Sequence, residues 1–444
     1  MRFSELDGKA IGVWGAGVET RSFAGILARE LPSARIAVAV LENAADEAPE
    51  ITGGARVVGA GEAAEALSGC DVVVRGPGVS LHRPELRAVA ARGVPITTAT
   101  GLWMAERGGR NVIAVTATKG KSTTATLIAH LVRAAGRPVE LAGNIGRPAL
   151  ELLGTPDDVL AVVELSSFQI ADLPCGPETA MASNLHPEHL DWHGTFDVYR
   201  EDKLRLLALP GVRRCVLNEG SDEVMAAPRA ADSDVFLYGR PPGWHVRVDG
   251  SVALGADVVV PFDRLPLIGD HNALNVCGAL TALQALDIPL PPLPDALEDF
   301  EGLSHRLQVV RRDAGITWID DSISTTPVTA AEAIRGVRKW YRDCSVILIG
   351  GGFDRDQDYA ELGRLIAETG TTVLGLPDTG ARLVQAALEA GASDAREVAD
   401  LPAAVAAAKE AAAPGTVVLL SPGAASYNSH ENFKARGEHF QALA

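Results

Sequence analysis

The sequence predicts an α/β protein of three domains. Short β-branched runs alternate with alanine-rich stretches along the chain, the pattern of strands and crossover helices layered around parallel sheets. At 444 residues the chain has the length for about three domains of ordinary size. Glycine turns follow several of the apolar runs, at Gly15, Gly76 and Gly120, and parallel sheets receive ligands at such turns.

Three blocks follow in order, 1–109, 110–302 and 303–444. In the first, residues 10–14 read as a buried strand, and Gly15-Ala-Gly17 turns it into a helix over 20–30. Residues 38–41 and 71–74 read as further parallel strands. The second block opens on the apolar strand 111–115 and ends in the proline-rich connector 288–294. In the third, strands are expected at 317–319, 346–349, 372–374 and 417–420. The stretch 403–413 is expected to be helical, because alanine is the best helix former.

Composition excludes several classes. A net charge of −17 argues against non-specific binding to nucleic acid or to an anionic membrane surface. The five cysteines lie far apart with no C-x-x-C pair, so neither a disulfide framework nor a zinc site is expected. No apolar run reaches the length of about eighteen residues needed to span a membrane, and residues 1–7 do not open a signal peptide. A cytoplasmic enzyme is the expectation.

The motif at 115–124 frames the chemistry. Gly120, Lys121 and Ser122 follow a strand and open a helix-like stretch, as a phosphate loop requires. There backbone N–H groups at a helix N-terminus and a lysine meet phosphates, and Ser122 or Thr123 offers a hydroxyl to Mg²⁺. The first glycine of the usual loop would stand at 115, where the chain has Val115, and a plain strand–turn–helix corner is the alternative. Glu164 ends the strand-like run 162–164, a geometry suited to positioning Mg²⁺, although many strands end in an acid. Three histidines and two acids crowd 184–194. Zinc is one reading, but the spacing lacks H-E-x-x-H; His189 beside a hard Mg²⁺ is the other, and loop hydrogen bonding is expected for His186 and His193. Lys203 sits on a helical stretch where a lysine is ordinarily solvated; in a desolvated, metal-rich pocket it would react with CO₂ to a carbamate. Asn272 and Asn275 lie three apart and share a helical face suited to a base or ribose, unless Asp270 or Asn272 merely caps the helix. Gly15 and Gly17 form a partial dinucleotide fingerprint, since position 20 is Thr20. Gly76, Pro77 and Gly78 form a second turn for an anion.

Taken in order, these pieces resemble the Mur ligase superfamily, the ATP-dependent amino-acid ligases of peptidoglycan precursor synthesis. The matching signatures are 116–123, Gly143-Asn-Ile-Gly146, Glu164-Leu-Ser-Ser167, His189, Lys203, His271-Asn-Ala-Leu-Asn275, Ser304-His-Arg306, Asp321-Ser322 and Leu420-Ser-Pro422. The resemblance implies Rossmann-like first and third domains around a central P-loop ATPase-type domain with a parallel or mixed sheet. In this family the loop often lacks its first glycine. The resemblance assigns Thr118, Lys119, Gly120, Lys121, Ser122, Thr123, Asn272, Asn275, Arg306 and Asp321 to ATP. It assigns Ser122, Glu164, His189 and a carbamylated Lys203 to Mg²⁺, with two ions expected, and makes Lys121, Glu164, His189 and Lys203 the catalytic set. Gly15, Gly17, Gly76, Pro77, Gly78, Asn144 and His189 fall where the family holds the UDP-substrate, here UDP-N-acetylmuramoyl-L-alanine.

The branch is similar to the glutamate-adding ligases, with one departure. Those acting on D-glutamate carry a lysine in the segment that here reads Asp321-Ser-Ile-Ser-Thr-Thr-Pro327, where Ile323 takes its place. Arg355 aligns with their glutamate-binding lysine, and arginine and lysine are not interchangeable at such sites. Thr325, Ser426 and Phe433 match the remaining amino-acid contacts. This version resembles a variant subfamily that adds L-glutamate, with D-glutamate addition or folate polyglutamation as alternatives. A nicotinamide dehydrogenase leaves Gly120-Lys-Ser122 unexplained, and a nucleotide-binding protein without turnover leaves Glu164, His189 and Lys203 unexplained. A monomer is expected.

Overall fold

The computed structural model describes residues 1–42, 48–144, 146–298, 300 and 302–444. Ile145, the centre of the Gly143–Gly146 signature, lies outside them. Among the described residues three sheets are present, one in each block. The first contains β1 (Ala10–Trp14), β2 (Arg35–Val40), β3 (Arg56–Val58), β4 (Val72–Arg75) and β5 (Ile96–Thr97), in the order β3-β2-β1-β4-β5 with every pair parallel.

The second sheet has nine strands. Two of them were expected, at 111–115 and 162–164: β6 (Val112–Thr116) and β8 (Leu160–Glu164) stand with β7 (Val139–Gly143), β9 (Thr179–Ala182) and β10 (Arg214–Asn218) as parallel neighbours in the order β10-β9-β6-β8-β7. β11 (Asp234–Tyr238), β12 (Trp244–Val246), β13 (Val252–Leu254) and β14 (Asp257–Val260) extend it, the last three as an antiparallel meander. The meander strands are only three or four residues long, so none offers a long apolar run.

The third sheet runs β15-β16-β20-β17-β18-β19, from β15 (Gln308–Asp313), β16 (Ile316–Asp320), β17 (Ser345–Gly350), β18 (Thr372–Gly375), β19 (Ala395–Glu397) and β20 (Thr416–Leu420). Only the β15–β16 pair is antiparallel. The four expected strands of this block appear within a residue or two of their forecast ends. The alanine-rich stretch forms the helix Leu401–Ala411 with Asp400 capping Ala403 N–H.

Compactness divides the chain into two units, Met1–Phe262 with Leu274–Ala296, and Asp263–Ala273 with Leu297–Ala444. The division falls inside the helix Asp270–Ala285. In the first unit the first two sheets share one continuous core, which joins Phe23 and Leu27 to Trp103, Leu150 and Leu165. In the second unit one core lies under the helices Pro327–Trp340, Ala360–Thr369 and Thr379–Glu389, and another lies under Leu401–Ala411 and Phe433–Leu443. The third sheet is therefore covered on both faces, as buried parallel strands demand.

Candidate active site

Val115 is the fourth residue of β6, fully buried, paired with Glu164 on β8 and Met181 on β9. A glycine there would only weaken a central strand. The tight turn comes later, at Gly120, whose φ of +84° caps the helix Lys121–Ala134. The positive φ favours glycine, and a Cβ on Gly120 would also lie 2.7 Å from Asn275 Oδ1, which would have to move. Gly120→Ala is expected to cost about 1–2 kcal/mol from backbone strain, measured by chemical denaturation. An Asn275→Ala background should return part of any further loss from the clash, and an equal loss in both backgrounds would refute that contact.

The loop is held from the segment after β9. Asn184 O accepts from Thr118 N–H at 2.9 Å, Asn184 Oδ1 accepts from Lys119 N–H at 2.9 Å, and Asn184 Nδ2 donates to Lys119 O at 2.8 Å. Thr118 Oγ1 lies 2.9 Å from the Tyr199 hydroxyl and accepts from His186 N–H at 2.9 Å. Burial pushes the Tyr199 phenol up to about 12, so it stays protonated. Lys121 Nζ folds back onto Thr118 O at 3.1 Å, and Lys119 pairs with Glu188 at 2.6 Å.

Glu164 ends β8 beside the loop and is 1% exposed. Its Oε1 accepts from Asn144 Nδ2 at 3.0 Å, while its buried Oε2 has no hydrogen-bond partner. An unsatisfied buried carboxylate oxygen is costly, and a bound cation removes that cost. Lys203 lies on the helix Phe196–Leu204 and is 2% exposed; its Nζ donates to Ala117 O at 2.9 Å. Burial, then the charge of Lys121, brings its amine down to about 7, so a large share is neutral near neutral pH. His189 has φ +57° at the start of the turn Leu190–His193 and is half exposed. Its imidazole pKa is held down by burial and by Lys203 and Lys121, against the pull of Glu188. The unpartnered, buried carboxylate oxygen of Glu164 is a donor that fits a hard divalent cation. His193 makes hydrogen bonds through both ring nitrogens: Nδ1 to Asp202 at 2.8 Å and Nε2 to Ser167 Oγ at 3.0 Å.

At the point where the first sheet's connections reverse, between β1 and β4, lies a cavity of about 490 Å³. Gly15, Gly17, Gly76, Pro77, Gly78 and Asn144 all line it. Gly143 stands at φ +110°, and a Cβ there would fall 2.2 Å from Glu164 O, so this wall of the cavity and the Glu164 strand close on each other. Three supports escaped sequence reading because their partners are far apart in the chain. Fully buried Arg75 makes a two-pronged pair with Asp172 and donates to Phe168 O and Val79 O. Asp202 joins His82 at 2.9 Å to His193. Trp192 Nε1 donates to Pro77 O at 3.1 Å.

The second unit carries the other candidates. Asn272 Nδ2 donates to Ile268 O at 2.7 Å. Asn275 belongs to the first unit, against Gly120. Asp321, just past β16, accepts from Ser421 Oγ at 2.7 Å and Leu307 N–H at 3.2 Å, and burial raises its carboxyl to about 7. Arg306 lies close enough to oppose that rise. Thr325 O accepts from Gln357 Nε2, the exposed Arg355 guanidinium lies 5.6 Å from the Tyr427 ring, Ser426 is buried, and Phe433 opens the last helix. β17 and β20 are neighbours whose following helices, Ala360–Thr369 and Phe433–Leu443, pack on opposite faces. The loops after them therefore flank a second reversal point, and Arg355 and Ser426 stand on those loops.

A model of the Mur ligase middle domain matches residues 115–283, and one of the Mur ligase glutamate ligase domain matches residues 305–423. The chain is 41% identical over 457 residues to UDP-N-acetylmuramoyl-L-alanine–L-glutamate ligase of Micromonospora sp., covering 99% of this chain and 97% of that one. UDP-N-acetylmuramate–alanine ligase of Thermotoga maritima has TM-score 0.59 and 17% identity, covering 97% and 98% of the two chains. A bifunctional folylpolyglutamate synthase/dihydrofolate synthase of Yersinia pestis, solved with AMPPNP and a manganese ion, has TM-score 0.53 and 16% identity, covering 78% and 92%. The last two similarities concern the fold alone.

Proposed function

The chain belongs to the Mur ligase family and is an ATP-dependent ligase that adds glutamate to UDP-N-acetylmuramoyl-L-alanine, and from that premise we propose that it uses the L-isomer and an acyl-phosphate intermediate. The observation that carries the chemistry is the set around the loop: Lys121, the buried, unpartnered Glu164 oxygen and the buried, near-neutral Lys203. The L-isomer is supported by the name of the Micromonospora relative, similar from end to end, and by Ile323 and Arg355 in the segments that read the amino acid.

A carboxylate is a poor acyl donor. The terminal alanyl carboxylate attacks the γ-phosphorus of ATP, ADP leaves, and the resulting acyl phosphate has a good leaving group. The glutamate amine then attacks the carbonyl carbon, loses a proton and expels phosphate. Thr118, Lys119, Gly120, Ser122 and Thr123 offer N–H groups or hydroxyls to the ATP phosphates at the helix N-terminus, and Lys121 swings from Thr118 O to meet them. Asn272, Asn275, Arg306 and Asp321 are assigned to the adenosine and phosphate. Glu164, His189, Ser122 and Lys203 as its carbamate would hold two Mg²⁺ ions, which supply charge neutralisation on the transferring phosphoryl group. The β1–β4 cavity takes the uridine diphosphate, and Asn144, on its wall and bonded to Glu164, lies toward the acyl end. Thr325, Arg355, Ser426 and Phe433 receive glutamate. We assign these tasks to domains 1–109, 110–302 and 303–444 of a cytoplasmic monomer.

Phosphate release with ATP, Mg²⁺, UDP-N-acetylmuramoyl-L-alanine and either glutamate isomer tests this reading. Release is expected with L-glutamate, at least about tenfold faster than with D-glutamate. Release with the D-isomer alone overturns the stereochemical choice.

A further inference from the structure

Arg436 is a buried arginine that no step above uses. It lies one turn into the helix Phe433–Leu443 and is 1% exposed. Its Nε donates to Ser322 Oγ at 3.0 Å. Nη2 donates to Ser322 O at 2.9 Å and to Ala424 O at 3.1 Å, and Nη1 donates to Ala425 O at 3.2 Å. Ser322 Oγ in turn donates to Phe433 O at 2.8 Å. One guanidinium thus ties the loop after β16 to the loop after β20. The loop after β17 joins the same point: Phe353 N–H donates to Ala425 O at 2.8 Å, and a Cβ on Gly352 would fall 2.3 Å from Ala425 O and 3.1 Å from Arg436 Nη1.

Among the described residues no carboxylate pairs with Arg436; every acceptor it reaches is a neutral oxygen. Burial brings its pKa down to about 10, against the pull of Asp320. A buried cation without an ionic partner is an expensive way to hold a helix to a sheet. Its return is geometric, because a rigid fork of donors fixes several carbonyls at once where an apolar side chain fixes none. Of the residues it holds, Ser322 lies three positions before Thr325 and donates to Phe433 O, and Ala425 immediately precedes Ser426.

We infer that Arg436 is a positioning residue for the amino-acid subsite: by clamping the loops after β16 and β20 it sets the spacing of Thr325, Ser426 and Phe433, and so the selectivity for the incoming dicarboxylic amino acid. The inference rests on the glutamate assignment above.

Steady-state phosphate release tests it with Arg436→Met, Arg436→Lys and Ser322→Ala. Arg436→Met should raise KM for glutamate by about tenfold or more and narrow the preference for glutamate over aspartate, with KM for ATP and the nucleotide substrate held within about twofold. Arg436→Lys should recover part of the glutamate KM. Ser322→Ala removes one acceptor and should raise the glutamate KM by about threefold, which keeps the test open where Arg436→Met does not fold. Parallel changes in all three KM values, or an unchanged glutamate KM in the variants that fold, would overturn the inference while wild-type turnover stands. A wild-type protein inert to both glutamate isomers overturns the parent assignment and this one with it.

Discussion

Lys203→Ala is expected to lower turnover by roughly a thousandfold, and short carboxylates such as formate or acetate should restore part of it. The argument starts from burial. Lys203 is enclosed, with one carbonyl partner and a pKa lowered from 10.5 to about 7. Carbamylation consumes only the neutral amine, so a normal surface lysine would be almost inert at neutral pH. The sign is fixed by the direction of the shift. Below about pH 7 the protonated amine dominates and carbamylation stalls, and above it the neutral amine is abundant. Activation of CO₂-depleted enzyme by bicarbonate should therefore strengthen from pH 6 to pH 8. Folding stability follows the same linkage: the cost of burying this amine is full below about pH 7 and fades as pH climbs toward its unfolded value. Full activity of Lys203→Ala, or loss with no response to small acids, would remove the carbamate from the mechanism.

Glu164→Gln is the second large effect, and it pulls activity and stability apart. The carboxylate is 1% exposed and one of its oxygens has no hydrogen-bond partner. A neutral amide of the same shape removes a buried charge, so in the absence of divalent ions the variant should melt no lower than the wild type, and the gain should be on the order of 1 kcal/mol or more. Turnover should nonetheless fall by about a thousandfold, because the oxygen that fits a cation is gone. Thermal melts with and without Mg²⁺ decide the matter: Mg²⁺ should stabilise the wild type more than the variant. A Glu164→Gln protein that is both active and equally responsive to Mg²⁺ would show that Glu164 is only a strand end.

What could be foreseen differs from element to element. The β-branched runs ending at Trp14, Thr116 and Leu420 announced their strands because a strand buried on both faces must be continuously apolar. The strands of the meander from Trp244 to Val260 went unread because each is only three or four residues long, even where Val258-Val-Val260 is β-branched. Lys121 and Glu164 stood out by type and place. The burial of Lys203 did not, because its helix has an ordinary charged surface and only packing against Ala117 and Tyr199 encloses the amine. Val115 already ended the apolar run 111–115, and the strand register pairs it with Glu164 and Met181 inside the sheet. Arg75, Asp172 and Arg436 were silent, because they act through partners 93 or more residues away or through backbone carbonyls, and Asp202 joins the nearby His193 to His82, 120 residues from it.

The Arg75–Asp172 pair bears on how this chain could be cut or recombined. Its two halves lie on either side of residue 109, the boundary suggested by sequence. A fragment ending there would lose both the carboxylate of Asp172 and the Phe168 carbonyl to which the Arg75 guanidinium is bonded. The first 109 residues are therefore a poor cassette for exchange between ligases, and a chimera that respects the pair must carry at least Met1 through Asp172 as one inheritance.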